Sequence, residues 1–359
     1  MELNSPYLWK KGQCSKPLIA VMGITHHGRS EAVNRALSDF GIEESFERAA
    51  TRFSEHYHYR LSSSTADRVT KDVAQDAQVY VEKTLVEARE GCAIQAQDST
   101  RTVVETMVVE LDGCDIRSAE LQPLPETNET SPIRKLPKKT KEIGWKEVRL
   151  GFARPLESQE KLYIGKMASY PEVVEQLVDA AALAGMTAET QVVGVADGGN
   201  GLKEELERQF ESIQFILDKT HLKDHLYETA EALGIERKAR PGWVTTRLEA
   251  ISSGEVMRII NEFEEVYRTT QSHRVKRLLG YLQRFVHAVN YQDFKACGYP
   301  IGSGEIESAH KSVPQQRLKL PGACWHPDSI NPMLALRIVR ANGWWEGFWE
   351  DRMERKMAA

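Results

Sequence analysis

The spacing of apolar residues predicts helices at the start of the chain. Five of them recur at intervals of three and four, the spacing of one helical face: Ile42, Phe46, Ala49, Phe53 and Tyr57. Serines then interrupt the pattern, and Ser64 with Asp67 resembles a capping box that begins a further helix. A helix, a break and a capped helix predict a helix-turn-helix-like region, with DNA contacts at residues 42–75.

The pattern changes to extended segments after residue 105. The segments "TMVVELDGCDIRSAEL" (106–121), "WKEVRLGFARP" (145–155) and "KLYIGKMA" (161–168) are apolar or alternate, which is typical of strands. Residues 122–142 carry four prolines and many charges, so we expect an exposed loop there. Three consecutive strands joined by loops predict an antiparallel meander.

Helices and strands then alternate. The segment "YPEVVEQLVDAAALAG" predicts a helix, "TQVVGVADG" a strand ending at Asp197, "LKEELERQF" a helix, and "SIQFILDKTH" a strand ending at Asp218. Strands separated by helices pair in parallel. The predicted class is therefore α/β, with an RNase H-like catalytic domain. Residues 222–298 show only helical periodicity and predict a helical insertion.

Composition adds little to this picture. Hydrophobic residues make up 41% and charged residues 28%, as in ordinary globular proteins, and no apolar run is long enough to span a membrane. The beginning of the chain lacks the apolar core of a signal peptide, and the five cysteines are far apart. We expect a cytoplasmic protein with free thiols. The net charge is −5, but basic clusters outside the N-terminal region indicate a polyanionic partner.

Two apolar strand segments end in the same dipeptide, at Asp112-Gly113 and at Asp197-Gly198, so we expect a polar turn at each position. Asp-Gly often serves only as a turn. In an RNase H-like order, however, the first and fourth strands are neighbours, so both aspartates would converge and a glutamate on the last helix could join them. Three carboxylates form a hard oxygen site suited to Mg²⁺ or Mn²⁺, and two such ions can cleave a phosphodiester.

The segment "YPIGSGEIESAHKS" (299–312) offers that glutamate. Ser303 is a candidate helix cap, and negative charge is favoured in the first turn, so capping alone could explain Glu305 and Glu307. These two residues are about 200° apart around a helix, so only one can face the metals. Glu307 shares a face with His310 and Lys311 and is the predicted catalytic residue.

These segments together resemble the bacterial insertion-sequence transposases of the ISKra type, which are related to Mutator-type DDE transposases. The resemblance covers about residues 40–350 in the same order, and its most specific parts are "GSGEIES" (302–308) and "QRLK" (316–319) followed by Trp325. It implies a DDE transposase that binds the double-stranded ends of an insertion sequence and cleaves and joins DNA. It also implies two divalent ions and a homo-oligomer assembled on DNA.

The resemblance assigns roles to individual residues. The catalytic, metal-binding acids match Asp112, Asp197 and Glu307. Further residues are expected near the active site, namely Asp218, His221, His310 and Lys311, and others are expected to contact DNA, namely Arg317, Lys319 and Trp325. The implied domains are a helical DNA-binding region at 1–98, the catalytic domain at 99–221 and 299–359, and the insertion at 222–298.

Three alternatives remain open at this point. One is an RNase H-like nuclease that cleaves without strand transfer, and another is a non-catalytic DNA-binding derivative. The third is a zinc hydrolase, because His221 and His225 are four residues apart on one helical face.

Overall fold

The computed structural model describes residues 8–10, 13–15, 29–95, 104–123, 139–199 and 201–358. Its helices are α1 (Glu31–Gly41), α2 (Phe46–Tyr57), α3 (Ser63–Gln95), α4 (Tyr170–Leu183), α5 (Leu202–Gln209), α6 (Lys219–Ala232), α7 (Arg240–Ser252), α8 (Val256–Thr270), α9 (His273–Arg284), α10 (Tyr291–Ala296), α11 (Gly304–His310), α12 (Gln316–Leu318), α13 (Ile330–Ala341) and α14 (Trp345–Ala358). Its strands are β1 (Leu8–Lys10), β2 (Gln13–Ser15), β3 (Thr106–Pro123), β4 (Lys139–Pro155), β5 (Leu162–Lys166), β6 (Gln191–Ala196) and β7 (Ile213–Leu217).

The centre of the molecule is a five-stranded mixed sheet with the order β5-β4-β3-β6-β7. Strands β3, β4 and β5 are antiparallel neighbours, and β6 and β7 run parallel to β3. Helix α4 connects β5 to β6 and α5 connects β6 to β7, as parallel pairing requires. The predicted α/β class, the meander and the two parallel strands are therefore confirmed.

Strands β3 and β4 are longer than the sequence pattern predicted. They remain paired from Met107 with Pro155 to Pro123 with Lys139, so both ends of the predicted loop belong to strands. Residues 124–138, the centre of that loop, lie outside the described residues. Asp112 and Gly113 lie within this continuous pairing, which corrects the expectation of a polar turn at Asp112-Gly113.

The predicted break between two N-terminal helices is present, but Ile42 lies in the turn between α1 and α2, and Ser62 rather than Ser64 accepts a hydrogen bond, from the Thr65 amide, at the start of α3. The apolar residues of these helices belong to the core of the sheet region. The Ser30 hydroxyl accepts a hydrogen bond from the Val33 amide, and the Ser45 hydroxyl accepts one from Arg48, so both serines cap helices. Helix α3 has 33 residues and packs along α13 and α4. Its apolar face is therefore buried against the sheet region.

Every described element between β7 and α11 is a helix, as predicted for 222–298. Helix α7 ends at Ser252 and helix α8 begins at Val256. The apolar faces of these helices are buried, and Leu278, Leu282 and Phe285 of the α9 region belong to the common core.

The chain after α11 widens into a π-helical turn at Lys311–Gln315, which contains Pro314. Proline has no amide hydrogen, so a regular helical ladder cannot continue through it. The buried Arg337 of α13 donates hydrogen bonds to the carbonyls of Ser312 and Val313. This arginine therefore stabilises the turn that joins α11 to α12.

Among the described helices, none combines the length and apolar composition that a membrane-crossing segment requires. Three cysteines of the described part, Cys114, Cys297 and Cys324, are free thiols.

The Gly198 turn yields a stability prediction. Gly198 has a φ of +81°, and a Cβ there would lie 2.8 Å from Phe285 and 2.9 Å from Leu217. Gly234 has a φ of +74° with nothing within 4 Å of such a Cβ. Both alanine variants share the backbone strain, so Gly198→Ala should destabilise the protein by about 1–3 kcal/mol more than Gly234→Ala, through overpacking. Urea unfolding of the two variants measures this difference, and equal losses would contradict it.

Candidate active site

Asp112 and Asp197 lie level with each other on neighbouring strands. The parallel register of β3 and β6 ends where Glu110 pairs with Val195, and each aspartate follows two residues later. Neighbouring strands are about 4.8 Å apart, so the two carboxylates leave the same edge of the sheet close together. The convergence that the sequence order predicted therefore has a geometric basis in the register.

The Asp112 carboxylate lies in a partly buried environment. Its Oδ1 accepts a hydrogen bond of 2.7 Å from the Gly113 amide, and its Oδ2 lies 3.7 Å from Nε2 of His310. Burial raises the pKa of Asp112, and the negative charge of Asp197 contributes to the same shift.

His310 is a buried histidine with only 2% of its surface exposed. Neither of its ring nitrogens has a hydrogen-bond partner in the described part of the chain. Burial lowers its pKa, which favours the neutral imidazole. His310 is thus placed beside Asp112, whereas Lys311, the next residue, is exposed.

Helix α9 supports the turn that carries Asp197. The carboxylate Oδ1 of Asp197 accepts a hydrogen bond of 2.8 Å from the Gly199 amide, which fixes the side chain to its own turn. The Tyr281 hydroxyl donates a hydrogen bond of 2.7 Å to the Asp197 carbonyl oxygen. Phe285 lies against Gly198. The helices at 222–298 therefore contact the candidate site directly, a contribution that the sequence did not indicate.

Asp218 connects three segments at this end of the sheet. It begins α6, is 1% exposed, and its Oδ1 accepts a hydrogen bond of 2.8 Å from the His221 amide. Its Oδ2 accepts hydrogen bonds from the Ser303 amide at 2.5 Å and the Ser303 hydroxyl at 2.6 Å. Ser303 was expected to cap its own helix, but its hydroxyl binds Asp218 instead.

The Asp218 carboxylate also holds His221. Burial opposes its charge, yet the hydrogen bonds from His221 and Ser303 hold the pKa of Asp218 below its usual range. The Asp218 carboxylate, with its Oδ1 3.3 Å from Nδ1 of His221, raises the pKa of His221 to about 9, and the charges of Asp197 and Asp112 act in the same direction. This shift favours the cationic form of His221 at neutral pH.

The two glutamates of α11 have different surroundings. Glu305 forms ion pairs with Arg154 at 2.6 Å and with Lys161 at 2.8 Å. Glu307 is exposed, and its side chain makes no hydrogen bond or ion pair with any described residue. The structure thus separates a glutamate held by two cations from one that remains free.

Glu110 is a buried acid that the sequence analysis missed. It is 1% exposed, and its Oε2 accepts a hydrogen bond of 2.9 Å from the Ile306 amide, in the first turn of α11. Burial raises the pKa of Glu110 to about 8. This carboxyl group joins the strand of Asp112 to the helix of Glu307. An acid within the apolar run "MVVEL" was the available signal.

Two of the expected DNA contacts do not fit this structure. Arg317 is 2% exposed, donates to the Gly41 carbonyl at 2.8 Å, and lies between the rings of Phe46 and Trp325. Trp325 is 4% exposed, and its indole N–H donates to the Leu318 carbonyl at 3.0 Å. Both side chains pack in the interior because they join α2 to the α12 region. Lys319, in contrast, is exposed.

The two histidines proposed as a zinc pair face different partners. His221 binds Asp218, whereas Nδ1 of His225 lies 3.0 Å from the Arg274 guanidinium and its ring contacts Tyr281. A permanent cation at this distance opposes metal binding, so the zinc alternative loses its support. Within the described residues, no three acidic, histidine or cysteine side chains are close enough to hold a metal ion.

Comparison with known proteins gives little further information. No protein-family model matches the chain, and no curated protein matches it. Among solved structures, the chain is similar to the Drosophila P element transposase strand transfer complex, with 12% identity, 93% of this chain and 84% of that chain covered, and a TM-score of 0.26. A similarity this low carries no argument, so the resemblance to ISKra-type transposases rests on the sequence motifs.

The His221–Asp218 pair yields a prediction of pH dependence. The folded-state pKa of His221, about 9, is above its ordinary value, so the pair stabilises the protein fully below about pH 6.5 and loses this effect as the pH rises through about 9. His221→Gln should therefore destabilise the protein at pH 6 and have little effect above pH 9. Urea unfolding across this range is the measurement. His287→Gln, at an exposed histidine, is the control, and a constant loss for His221→Gln at all pH values would refute the prediction.

Proposed function

We propose that this protein is a DDE transposase with an RNase H-like catalytic domain, which cleaves DNA and transfers the cut strand. The observation that carries the proposal is the level placement of Asp112 and Asp197 at one sheet edge, beside the helix that bears Glu307. The sheet order supports the RNase H-like assignment, because three antiparallel strands are followed by two parallel ones on the other side of β3. The resemblance of the sequence motifs to ISKra-type transposases favours transposition as the reaction.

In this proposal, Asp112, Asp197 and Glu307 would hold two Mg²⁺ or Mn²⁺ ions. Carboxylate oxygens are the donors that these ions prefer, and two of the three carboxylates already share one edge. When bound, such ions activate a nucleophile and stabilise the leaving oxygen of a phosphodiester. Glu307 is free of competing partners, so its side chain can turn toward the aspartates when DNA and metal bind.

The remaining residues of the site would bind and orient the DNA. His221 brings a positive charge beside the two aspartates, where a scissile phosphate would lie. Lys311 and Lys319 are exposed cations on the same segment as Glu307 and can hold neighbouring phosphates. His310 lies next to Asp112 and, as a neutral imidazole, would orient that carboxylate through a hydrogen bond.

The domain roles remain part of the proposal. The helical region at 1–98 would bind the element's ends, and the protein would act as a homo-oligomer on DNA. A nuclease that cannot join strands is the second candidate function. The two differ in one assay, in which the purified protein is incubated with Mg²⁺, a duplex from the DNA flanking its gene, and a supercoiled target plasmid. Joined products support the transposase, whereas cleavage alone supports the nuclease.

The aspartates give the first functional prediction. Asp112→Asn and Asp197→Asn should each abolish cleavage in Mg²⁺, because each removes a charged donor from the metal site. Asn keeps the shape of the side chain, so thermal unfolding and DNA binding should stay close to wild type. The exposed Asp328→Asn is a matched control and should cleave normally. Normal cleavage by either site variant would disprove the metal assignment.

The two glutamates of α11 give opposite predictions. Glu307→Gln should eliminate cleavage and strand transfer without loss of stability, since its side chain is exposed and unpaired. Glu305→Gln should keep the chemistry but reduce the free energy of unfolding by about 1–3 kcal/mol, because Arg154 is buried and loses its charged partner. Cleavage assays and urea unfolding of both variants test the pair. An inactive Glu305 variant beside an active Glu307 variant would reverse the assignment.

A further inference from the structure

Strands β3 and β4 continue past the sheet as a two-stranded ribbon, formed by residues 113–123 and 139–149. Strand β6 pairs with β3 only as far as Glu110, and β5 pairs with β4 only from Arg149 onward. The ribbon therefore begins directly at Asp112 and leaves the sheet at the candidate active site.

The ribbon has a buried and an exposed face. On the inner face, Ile116 is fully buried and Ser118 is 3% exposed. The outer face carries exposed side chains that are paired across the strands, Arg117 with Trp145 and Leu121 with Lys141, with Ile143 between them. Trp145 is 64% exposed, Leu121 62% and Ile143 50%. Most other large apolar side chains in the described part of the chain are buried, so a strip of three exposed ones is unusual.

The charges on the outer face change from acidic to basic with distance from the site. Asp115 and Glu147 pair across the strands near Asp112, and Glu147 is bound by Arg149. Farther out, Arg117 and Lys141 form no ion pair with any described residue. Two unpaired cations at the ends of an apolar strip match the chemistry of DNA, which offers phosphates at its edges and apolar sugar and base surfaces between them.

The C-terminal segment holds the ribbon in place. The Trp325 amide donates to the Arg117 carbonyl at 3.0 Å, and the Ala119 amide donates to the Trp325 carbonyl at 2.8 Å. These hydrogen bonds occupy the edge of β3 and leave the outer face open. Trp325 thus acts on the ribbon through its backbone while its indole remains in the core.

We propose that the outer face of the ribbon binds duplex DNA beside the scissile phosphate. The inference rests on the proposed function, which brings a phosphodiester to Asp112. Strands rise about 3.3 Å per residue, so Arg117 lies about 17 Å and Leu121 about 30 Å along the strand from Asp112. These distances correspond to roughly five to nine base pairs of DNA on one side of the cleavage point. A two-stranded ribbon also has the dimensions that the major groove admits.

The test is equilibrium binding of the full chain to a random-sequence duplex of about three helical turns, without divalent metal, over a range of salt. Each phosphate contact removed should lower the slope of log affinity against log salt by about 0.9. The double variant Arg117→Gln/Lys141→Gln should therefore lose about 1.8 of that slope. Lys146→Gln, on the inner side of the same ribbon and exposed, is the matched control and should leave the slope unchanged.

The aromatic contact has a different signature. Trp145→Ser should weaken binding about ten-fold at every salt concentration, with the slope unchanged, because an apolar contact with the sugars and base edges of a duplex releases no counterions. Both variants alter exposed side chains, and thermal unfolding verifies that they fold. Wild-type slope and affinity in both variants would overturn the inference. Conversion of an oligomer to a monomer, with DNA binding unchanged, would overturn it in favour of a second copy of the chain.

DNA binding by the ribbon and DNA cleavage at the candidate active site can be disproved independently. A wild-type protein that binds no duplex at all contradicts both. A wild type that cleaves DNA while the ribbon variants bind normally removes only the ribbon inference. Weakened binding by the ribbon variants of a protein that never cleaves DNA supports the ribbon and removes the catalytic proposal.

Discussion

The buried carboxylate of Asp218 is the interaction on which the candidate site depends most. Its oxygens accept hydrogen bonds from the His221 amide, the Ser303 amide and the Ser303 hydroxyl. A charge this deeply buried is costly unless its acceptors are filled, so the three donors must stay together. They come from the start of α6 and the turn before α11, which are separated by the whole helical insertion. The carboxylate therefore holds the two ends of the insertion together and fixes the position at which α11, the helix of Glu307, begins.

Other buried polar contacts hold the same helix. The Glu110 carboxyl group, whose raised pKa of about 8 favours the neutral acid at pH 7, accepts a hydrogen bond from the first turn of α11, and Arg154 and Lys161 bind that turn through Glu305. Hydrogen bonds to charged groups contribute about 1.5–3 kcal/mol each, more than neutral ones, and they are directional. A short helix of seven residues has little stability of its own. These contacts supply the rigidity that a positioned glutamate requires.

The helices outside the sheet contact the candidate site or the segments next to it. Tyr281 and Phe285, from the helices after β7, support the Asp197 turn. At the other end, Arg317 donates to the Gly41 carbonyl, and Arg337 joins the turn after α1 to the π-helical turn beyond α11. Two buried arginines therefore join the N-terminal helices to the segment that follows the helix of Glu307.

The sequence by itself predicted the order of the strands and helices in the sheet region and proposed Asp112 and Asp197 as neighbours, because periodicity and turn residues are local and the meander fixes which strands are adjacent. The sequence also favoured Glu307 over Glu305, because the spacing of residues along a helix decides which side chains share a face, and Glu307 shares one with His310 and Lys311. Tertiary structure decided what depends on distant partners. The burial of Arg317 and Trp325, the capture of Ser303 by Asp218, the role of Glu110 and the continuation of β3 past Asp112 all follow from contacts between segments far apart in the chain. A side chain's type states what it can bind, but only the fold brings the partner within hydrogen-bonding distance.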